Sequence, residues 1–485
     1  MNLDVAIIGG GLAGLSVAFE LRRRRPDLRL GIFEREPRPG GRIGTTSEGG
    51  YTFDWGPNGI IPAPATVELL RALGLEGELQ PAAPAARRRY LFHGGRLQPV
   101  PSSPAGLLST RLLTPGGKLR ALAEPLLASR RFSGGEETVF SFAARHFGPQ
   151  AAALASTAVL GIAAADGRDV SLDALFPRTR ALEREHGSLL RGMVRGGRKR
   201  RGSSGSGESG GSDVSGEGDG SGGSSTKESR RLTTFPGGME RLVERLAAAI
   251  GAETLRTGSE VQGLAQVDGG FELRLGGDES VHARSVVLTP PAPVSARLLG
   301  SSWPALARPL SLIEMHPVDV LVFAFERHAV PLELDGFGLL ISRGEGLRSL
   351  GVLWTSSLFA DRAPAGQVLL RVIAGGAADP GFADLSDEEA RRVALSDLRA
   401  TMGITAGPLR FWRVAHKAGL PHYSLGHGAR VDEAFGALPP GMVLAGDSYK
   451  GLGVNSVVAD AERVAEQVIK QFNGPGHVRH AASNS

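Results

Sequence analysis

The chain has 485 residues, 41% of them hydrophobic and 22% charged, and carries a formal charge of +5. Such a length allows a large core divided over two or three domains. Cysteine is absent, which excludes disulfides, thiolate metal centres, a cysteine nucleophile and a cysteine-linked prosthetic group. The arginine-rich balance suits a solvated basic surface, an anionic membrane surface or a polycarboxylate partner. Nothing in the chain shows the aromatic–basic interleaving or zinc-finger spacing of a nucleic-acid binder.

Asp4 to Ile8 is a short apolar run with the character of a buried parallel strand. Gly9-Gly10-Gly11-Leu12-Ala13-Gly14 follows and has the G-x-G-x-x-G spacing of a dinucleotide-binding turn. Gly9 permits the tight turn, Gly11 lets the backbone approach a pyrophosphate, and Gly14 lets helix and strand pack closely. The helix predicted over 12–24 offers its free N–H groups and positive dipole end to those phosphates. Leu28 to Phe33 reads as the second strand. Glu34 at its end lies about 20 residues beyond the last glycine, where a carboxylate receives ribose hydroxyls, and Arg35 follows it. A carboxylate at that point disfavours NADP. The N-terminus enters the first strand at once, without a secretory signal, and no run approaches the ~18 apolar residues of a spanning helix. A cytoplasmic protein is expected.

Pro39-Gly40-Gly41-Arg42 resembles the segment after the ribose carboxylate in the amine-oxidase-like flavoprotein superfamily. The resemblance implies non-covalent FAD, with Gly41 and Arg42 at its diphosphate. Gly49 to Gly59 reads as a hairpin ending in a glycine-rich turn. Its G-Y-x-F-D-x-G-P-x-G pattern is similar to that of the porphyrinogen oxidases. Gly56, Pro57, Asn58 and Gly59 are then expected to approach the flavin.

From about 101 to 191 the texture changes to apolar helices with scattered arginines, read as a separate helical domain. Leu107, Leu108, Leu112 and Leu113, flanked by Arg111, Lys118 and Arg120, fit two readings: a surface that docks on an anionic bilayer, or an internal helix core with basic residues outward. Gly161-Ile162-Ala163-Ala164-Ala165-Asp166, then Leu172 and Phe176-Pro177, is similar to a signature of protoporphyrinogen oxidases, and 185–192 continues the match. His186 in that stretch reads as a structural histidine sooner than a catalytic one. Residues 196–229 are a Gly/Ser-rich insertion without enough apolar surface to offset its ordering entropy.

Thr233 to Met239 leads into a helix over 240–250 and resembles the element with which these flavoproteins return to the nucleotide domain. Val261 falls where the family's backbone meets the adenine end of FAD. Strands are expected over 318–325, 335–341, 350–359 and 369–376, and an amphipathic helix over 387–402. By resemblance, Phe337, Leu340, Ile373 and Ala374 line the tetrapyrrole pocket, and Trp412 belongs with the cofactor contacts. His416, His422 and His427 lack chelating spacing, so no metal site is expected. In 444–456 a strand ends in Gly446-Asp447, the chain turns through Gly451 and Gly453, and a helix begins near Val454 and Ser456. The family closes over the flavin with this segment.

The resemblance to the protoporphyrinogen oxidase family covers nearly the whole chain except the insertion and the tail. It implies an α/β, α+β multidomain fold: a Rossmann-type FAD-binding domain from 1–95, 232–295 and 419–472, a mixed-sheet substrate domain at 296–418, and an inserted helical domain at 96–194. The insertion spans 195–231 and a flexible tail 473–485. The implied reaction is oxidation of protoporphyrinogen by oxygen with release of hydrogen peroxide. Implied partners are the porphyrinogen, oxygen, an anionic surface on the inner face of the cell membrane and a second copy of the chain. No residue stands out as the catalytic base. Where many relatives have a basic residue for a substrate propionate, this chain has Ala105, leaving Arg96 or Arg111 to take that part. Coproporphyrinogen oxidation is the near rival. Amine oxidation is more distant, because four Tyr and four Trp are few for an aromatic cage. A flavin-binding scaffold without turnover is the reading from a different class.

Overall fold

The computed structural model describes residues 2–127, 135–192, 231–277, 279–300 and 302–473; the Gly/Ser-rich stretch 196–229 and the expected tail beyond 473 lie outside them. A seven-stranded sheet forms around the N-terminal strand Asn2–Ile8, which pairs in parallel with Leu30–Phe33 on one side and Ser280–Leu288 on the other. Leu255–Arg256 extends one edge, and the hairpin Val261–Val267 with Gly270–Leu275 the other. Met442–Leu444 pairs in parallel with the end of Ser280–Leu288. Val5, Ala6 and Ile7 are fully buried, because both faces of this parallel sheet are covered. Helices Leu12–Arg24, Glu240–Ile250 and Val454–Phe472 cover one face. Ala292–Leu299, Pro304–Ser311 and His427–Gly436 lie on the other.

The second sheet also has seven strands, in the order Arg410–Pro421, Met315–Glu326, Gln367–Gly375, Ser349–Leu353, Gly338–Ile341, Tyr90–Phe92 and Leu97–Pro99. Its pairings are antiparallel except that of Tyr90–Phe92 with Gly338–Ile341. Side chains alternate across it. Phe323, Phe325, Leu370 and Val372 go under helix Asp387–Met402, which starts with a reciprocal capping box between Ser386 and Glu389. Val320, Val322 and Leu369 face the hairpin of Thr45–Glu48 and Tyr51–Asp54. That hairpin turns at Gly49-Gly50, both at positive φ, as a two-residue turn requires. Two expected boundaries shift. Residues 90–99, expected to fall across the first and helical domains, include the strands Tyr90–Phe92 and Leu97–Pro99 of the second sheet, and the strand expected to leave that sheet at 418 runs on to Pro421.

The helical lobe comprises Pro104–Ser109, Pro115–Leu122, Glu124–Leu127, Val139–Phe147, Pro149–Ala163, Leu172–Leu175 and Pro177–His186. Leu112 and Leu113 are buried, while Leu108, Leu119, Leu122, Leu126 and Leu127 are exposed. Arg120 turns inward and donates to the carbonyls of His146 and Arg145 at 2.7 and 2.6 Å. Among the described residues no helix is long and apolar enough to cross a membrane.

Candidate active site

The first glycine loop is fixed by close backbone approach. A Cβ at Gly14 would lie 2.0 Å from the Gly9 carbonyl oxygen, and one at Gly10 would lie 2.9 Å from the Glu34 Cβ. Gly9 itself sits at φ +102°, a region costly for side chains other than glycine. Gly11 differs: a Cβ there would meet nothing nearer than the Gly41 Cα, 4.0 Å away. The loop is therefore packed from below and open above Gly11, the side from which a pyrophosphate approaches. Gly11 caps Leu12–Arg24 with no side-chain hydrogen bond, so the first-turn N–H groups keep their capacity for an anion.

Glu34 is buried; its Oε2 accepts the Gly10 N–H at 2.6 Å and its Oε1 the Glu36 N–H at 2.8 Å. Each oxygen retains a second lone pair for a ribose hydroxyl. Ser259 N–H reaches the Glu34 carbonyl at 2.7 Å, which puts Val261, buried at the start of its strand, at the same end of the sheet. Arg35 is exposed and pairs with Glu36 at 2.8 Å.

Loop 39–42 docks on the glycine turn through a parallel bridge of Gly40 to Gly11 and a 2.8 Å bond from Gly40 N–H to the Gly10 carbonyl. Arg42 is thereby carried to Asp447, with Nη2 2.7 Å from Oδ2, and it also donates to the Gly419 carbonyl. Gly446, at φ +116°, lies beside the first helix, since a Cβ there would stand 3.9 Å from the Ala13 Cβ. The Tyr423 hydroxyl donates to the Asp447 carbonyl at 2.6 Å, and burial holds that phenol well above its ordinary pKa. Gly453 starts Val454–Phe472, again without a side-chain cap. Val454 is buried against the first helix, and Ser456 Oγ bonds the Leu452 carbonyl at 3.3 Å. Asn455 ties this second helix start to the chain after the glycine turn, accepting from Ala63 N–H at 3.0 Å and Thr66 Oγ1 at 2.7 Å.

The turn from Gly56 to Gly59 is also closely packed. A Cβ at Gly56 would lie 2.6 Å from the Arg42 carbonyl oxygen, and one at Gly59 would lie 2.6 Å from that of Thr233. Pro57 is half-buried and Asn58 buried. Against this turn lies Arg371 of the second sheet, 1% exposed, donating to Asn58 Oδ1 at 3.0 Å and to the Gly56 carbonyl at 2.8 Å. Burial is the main cause that pulls its pKa down to about 10, with Asp54 opposing and Arg362 adding to the fall. Asn58 Nδ2 and Arg371 Nε are buried donors without a partner among the described residues. Unmet donors of this kind carry a cost unless a ligand accepts from them. They suit the carbonyl-rich edge of a flavin, while the open cradle at Gly11 and the two uncapped helix starts suit its diphosphate. The residues present fit FAD.

The expected substrate residues divide. Leu340 packs on Gly161, where a Cβ would approach its Cδ2 to 3.0 Å. Ile373 is half-buried on the Arg371 face, beside Leu160, Ala164, Val318 and Leu420. Ala374 is corrected: it is fully buried in the cluster under helix Asp387–Met402, because neighbouring residues of a strand face opposite ways. Phe337 packs with Ala82, Leu358 and Phe359, apart from the Ile373 cluster. Trp412 packs into the hairpin, its ring centroid 5.4 Å from Tyr51 and 5.1 Å from Phe53, and donates to Glu48 at 3.2 Å.

Arg371, Tyr423 and Asn455 escape a reading of the sequence by motif. His416 joins them, with Nε2 2.9 Å from the Trp55 carbonyl and its pKa lowered chiefly by burial. His186 pairs with the neighbouring Glu185 at 3.6 Å. Among the described residues no three His, Asp or Glu side chains are grouped to hold a metal.

Comparison with known proteins agrees with this geometry. Residues 12–469 match the family model of flavin-containing amine oxidoreductases. The chain is 28% identical to a coproporphyrinogen III oxidase of Bacillus subtilis (strain 168), over 93% of this chain and 94% of that one. It is 31% identical to a protoporphyrinogen oxidase of Homo sapiens, over 97% of this chain and 99% of the other. A crystal structure from Exiguobacterium sp. 255-15, assigned as a protoporphyrinogen oxidase, superposes with a TM-score of 0.78 at 24% identity, covering 97% and 99% of the two chains. That last likeness speaks for the fold. The chain belongs to the flavin-containing amine oxidoreductase family, with FAD as its cofactor.

Proposed function

We propose that this flavoprotein oxidises a porphyrinogen to the corresponding porphyrin, with oxygen as final acceptor and hydrogen peroxide as by-product. The observation that carries the reading is the boundary between the sheets. There Arg371 and Asn58 present buried donors at one end, while Ile373, Leu160 and Leu420 supply an apolar wall. FAD bound there supplies the two-electron acceptor. The chain's own residues position it. Gly9 to Gly14, Glu34 and Arg42 hold its nucleotide half, and Gly56 to Gly59, Asp447 and the start of Val454–Phe472 hold its flavin half. The apolar wall excludes water and orients a macrocycle against that half. Among the described residues no side chain is poised as a base for the porphyrinogen; Asp447 is engaged by Arg42, and its carbonyl accepts from Tyr423.

Protoporphyrinogen IX is the first candidate substrate, supported by the relatives that bear its name at up to 31% identity over nearly their whole length. Coproporphyrinogen III is the second, favoured by a basic pocket beside the apolar wall and by the Bacillus subtilis relative. Steady-state assay of porphyrin fluorescence with both substrates under air decides between them, with peroxide measured in parallel. Protoporphyrin formation at the higher kcat/KM, with matching peroxide, is the expected result. A higher kcat/KM on coproporphyrinogen would reverse the order of the two, and no turnover of either would overturn the proposal.

A further inference from the structure

A cavity of about 280 Å³ opens where the helical lobe meets the ends of strands Tyr90–Phe92 and Gly338–Ile341. Arg111, Arg168 and Arg343 line it, together with five hydroxyl- or amide-bearing side chains, and no acidic residue does. Asp166 lies 3.3 Å from Arg168 and 3.9 Å from Arg343. Asp166 is already engaged, accepting from Ser156 Oγ at 2.6 Å and from the Arg168 N–H at 2.9 Å. Burial alone would raise its pKa, but these bonds and the two arginines bring it below the ordinary carboxylate range. One fixed negative charge thus aligns two of the guanidinium groups, and Arg111 has no ion pair among the described residues. His93, also in the lining, lies 3.8 Å from Glu345, so that carboxylate is not spent on the arginines. Positive charge remains in excess.

The cavity shares a wall with the proposed active site. Ser156 and Thr157 belong to helix Pro149–Ala163, whose far end packs through Gly161 on Leu340 and through Leu160 and Ala164 on Ile373 and Leu420. Leu420 adjoins Gly419, whose carbonyl receives Arg42. From Ala164 back to Ser156 the helix covers about 12 Å at its ordinary rise, a span comparable to a tetrapyrrole with its carboxylate arms extended. Ser342, two residues past Leu340 and so on the same strand face, closes the cavity beside Arg343.

We propose that this three-arginine pocket is a carboxylate-binding subsite that receives propionate arms of the porphyrinogen. The inference rests on the proposed function. It makes the pocket a specificity determinant, because a tetracarboxylate can fill it in more orientations than a dicarboxylate. Phosphate-bearing anions share the electrostatics, and the test separates them.

The variants are Arg111→Ala, Arg168→Ala, Arg343→Ala and the triple substitution, made in the full-length holoenzyme. Each single change is expected to raise KM for coproporphyrinogen about threefold to tenfold, as for partly exposed ion pairs, with kcat retained. The increase should be smaller for protoporphyrinogen, and it should shrink as salt is added. Unchanged KM for both porphyrinogens in the triple variant, with its thermal unfolding intact, would overturn the subsite. Equilibrium titration with coproporphyrin, followed by its fluorescence, tests the pocket even if neither porphyrinogen is turned over. Weaker binding by the triple variant supports the subsite; equal binding overturns it. Coproporphyrin tetramethyl ester should bind wild type and variant alike, and inorganic phosphate at millimolar levels should not displace the free acid. Displacement by phosphate would assign the pocket to phosphates instead.

Discussion

Arg371 brings a guanidinium into the boundary between the two sheets and donates both of its hydrogen bonds to the glycine turn of the other sheet's domain. Burial depresses its pKa only to about 10, so it stays charged at neutral pH without a carboxylate hydrogen-bonded to it. A cation held this way beside a flavin favours the electron-rich reduced ring. Replacing Arg371 by Gln should make the midpoint potential of the bound flavin more negative by about 30 mV, equivalent to about 1.4 kcal/mol for a two-electron couple. Spectroelectrochemistry measures it, and an unshifted potential would mean that the residue only ties the sheets together. Gly9 and Gly14 of the first loop were legible because each answers a local demand, a positive φ at Gly9 and a 2.0 Å backbone approach at Gly14. Arg371 was not. It is one charge inside the apolar run VLLRVIAG, and only the pairing of its strand shows which face it joins. Ala374 failed for the related reason that strand period places it opposite Ile373, while the sequence does not say which of the two faces the site.

At the scale of elements, the helical lobe is held by charge as well as by its apolar core. His146 has no exposed side-chain surface and lies 2.9 Å from Glu124 and 3.0 Å from Glu183. Glu183 is also bonded by Arg145 at 2.6 Å and by Arg180 at 2.6 Å, and Arg180 reaches Glu137 and Asp173 at 2.8 and 3.0 Å. Glu124 in turn accepts from Ser188 at 2.6 Å and from Leu189 N–H at 2.9 Å. Burial alone would raise the Glu183 pKa, but the bonds from Arg145 and His146 lower it from 4.5 to about 2. A carboxylate lowered on folding adds stability at pH values above its unfolded pKa and loses it as pH falls through the folded one. Denaturant unfolding should therefore show stability declining from about pH 4.5 down to about pH 2. Glu183→Gln should flatten that decline and cost about 2 kcal/mol at pH 7, since it removes a carboxylate shared by Arg145, Arg180 and His146. A variant with the wild-type pH profile would contradict this account. The sequence showed the helices of the lobe through their apolar periodicity. Its polar network stayed hidden because the partners stand far apart in the chain, 65 positions for Glu124 and Leu189.

Across the whole molecule, three separate stretches of chain build the first sheet, with strands from 2–33, 255–288 and 442–444. The proposed flavin contacts come from all of them, together with Arg42 and the 56–59 turn. The motif order made that return path legible. The second sheet was less so, because residues 90–99 join it through a parallel pairing that nothing local announces. The two sheets meet at Arg371, and the helical lobe closes one side through Gly161 and Ala164. Ala164 sits at φ +48° and takes the close backbone approach of Gly376, where a Cβ would lie 2.1 Å from its carbonyl oxygen. Rapid anaerobic mixing of the oxidised holoenzyme with each porphyrinogen tests this account most directly. Loss of flavin absorbance near ~450 nm, followed by its return and porphyrin fluorescence when oxygen is admitted, is the predicted result. Flavin that stays oxidised with both porphyrinogens would contradict it.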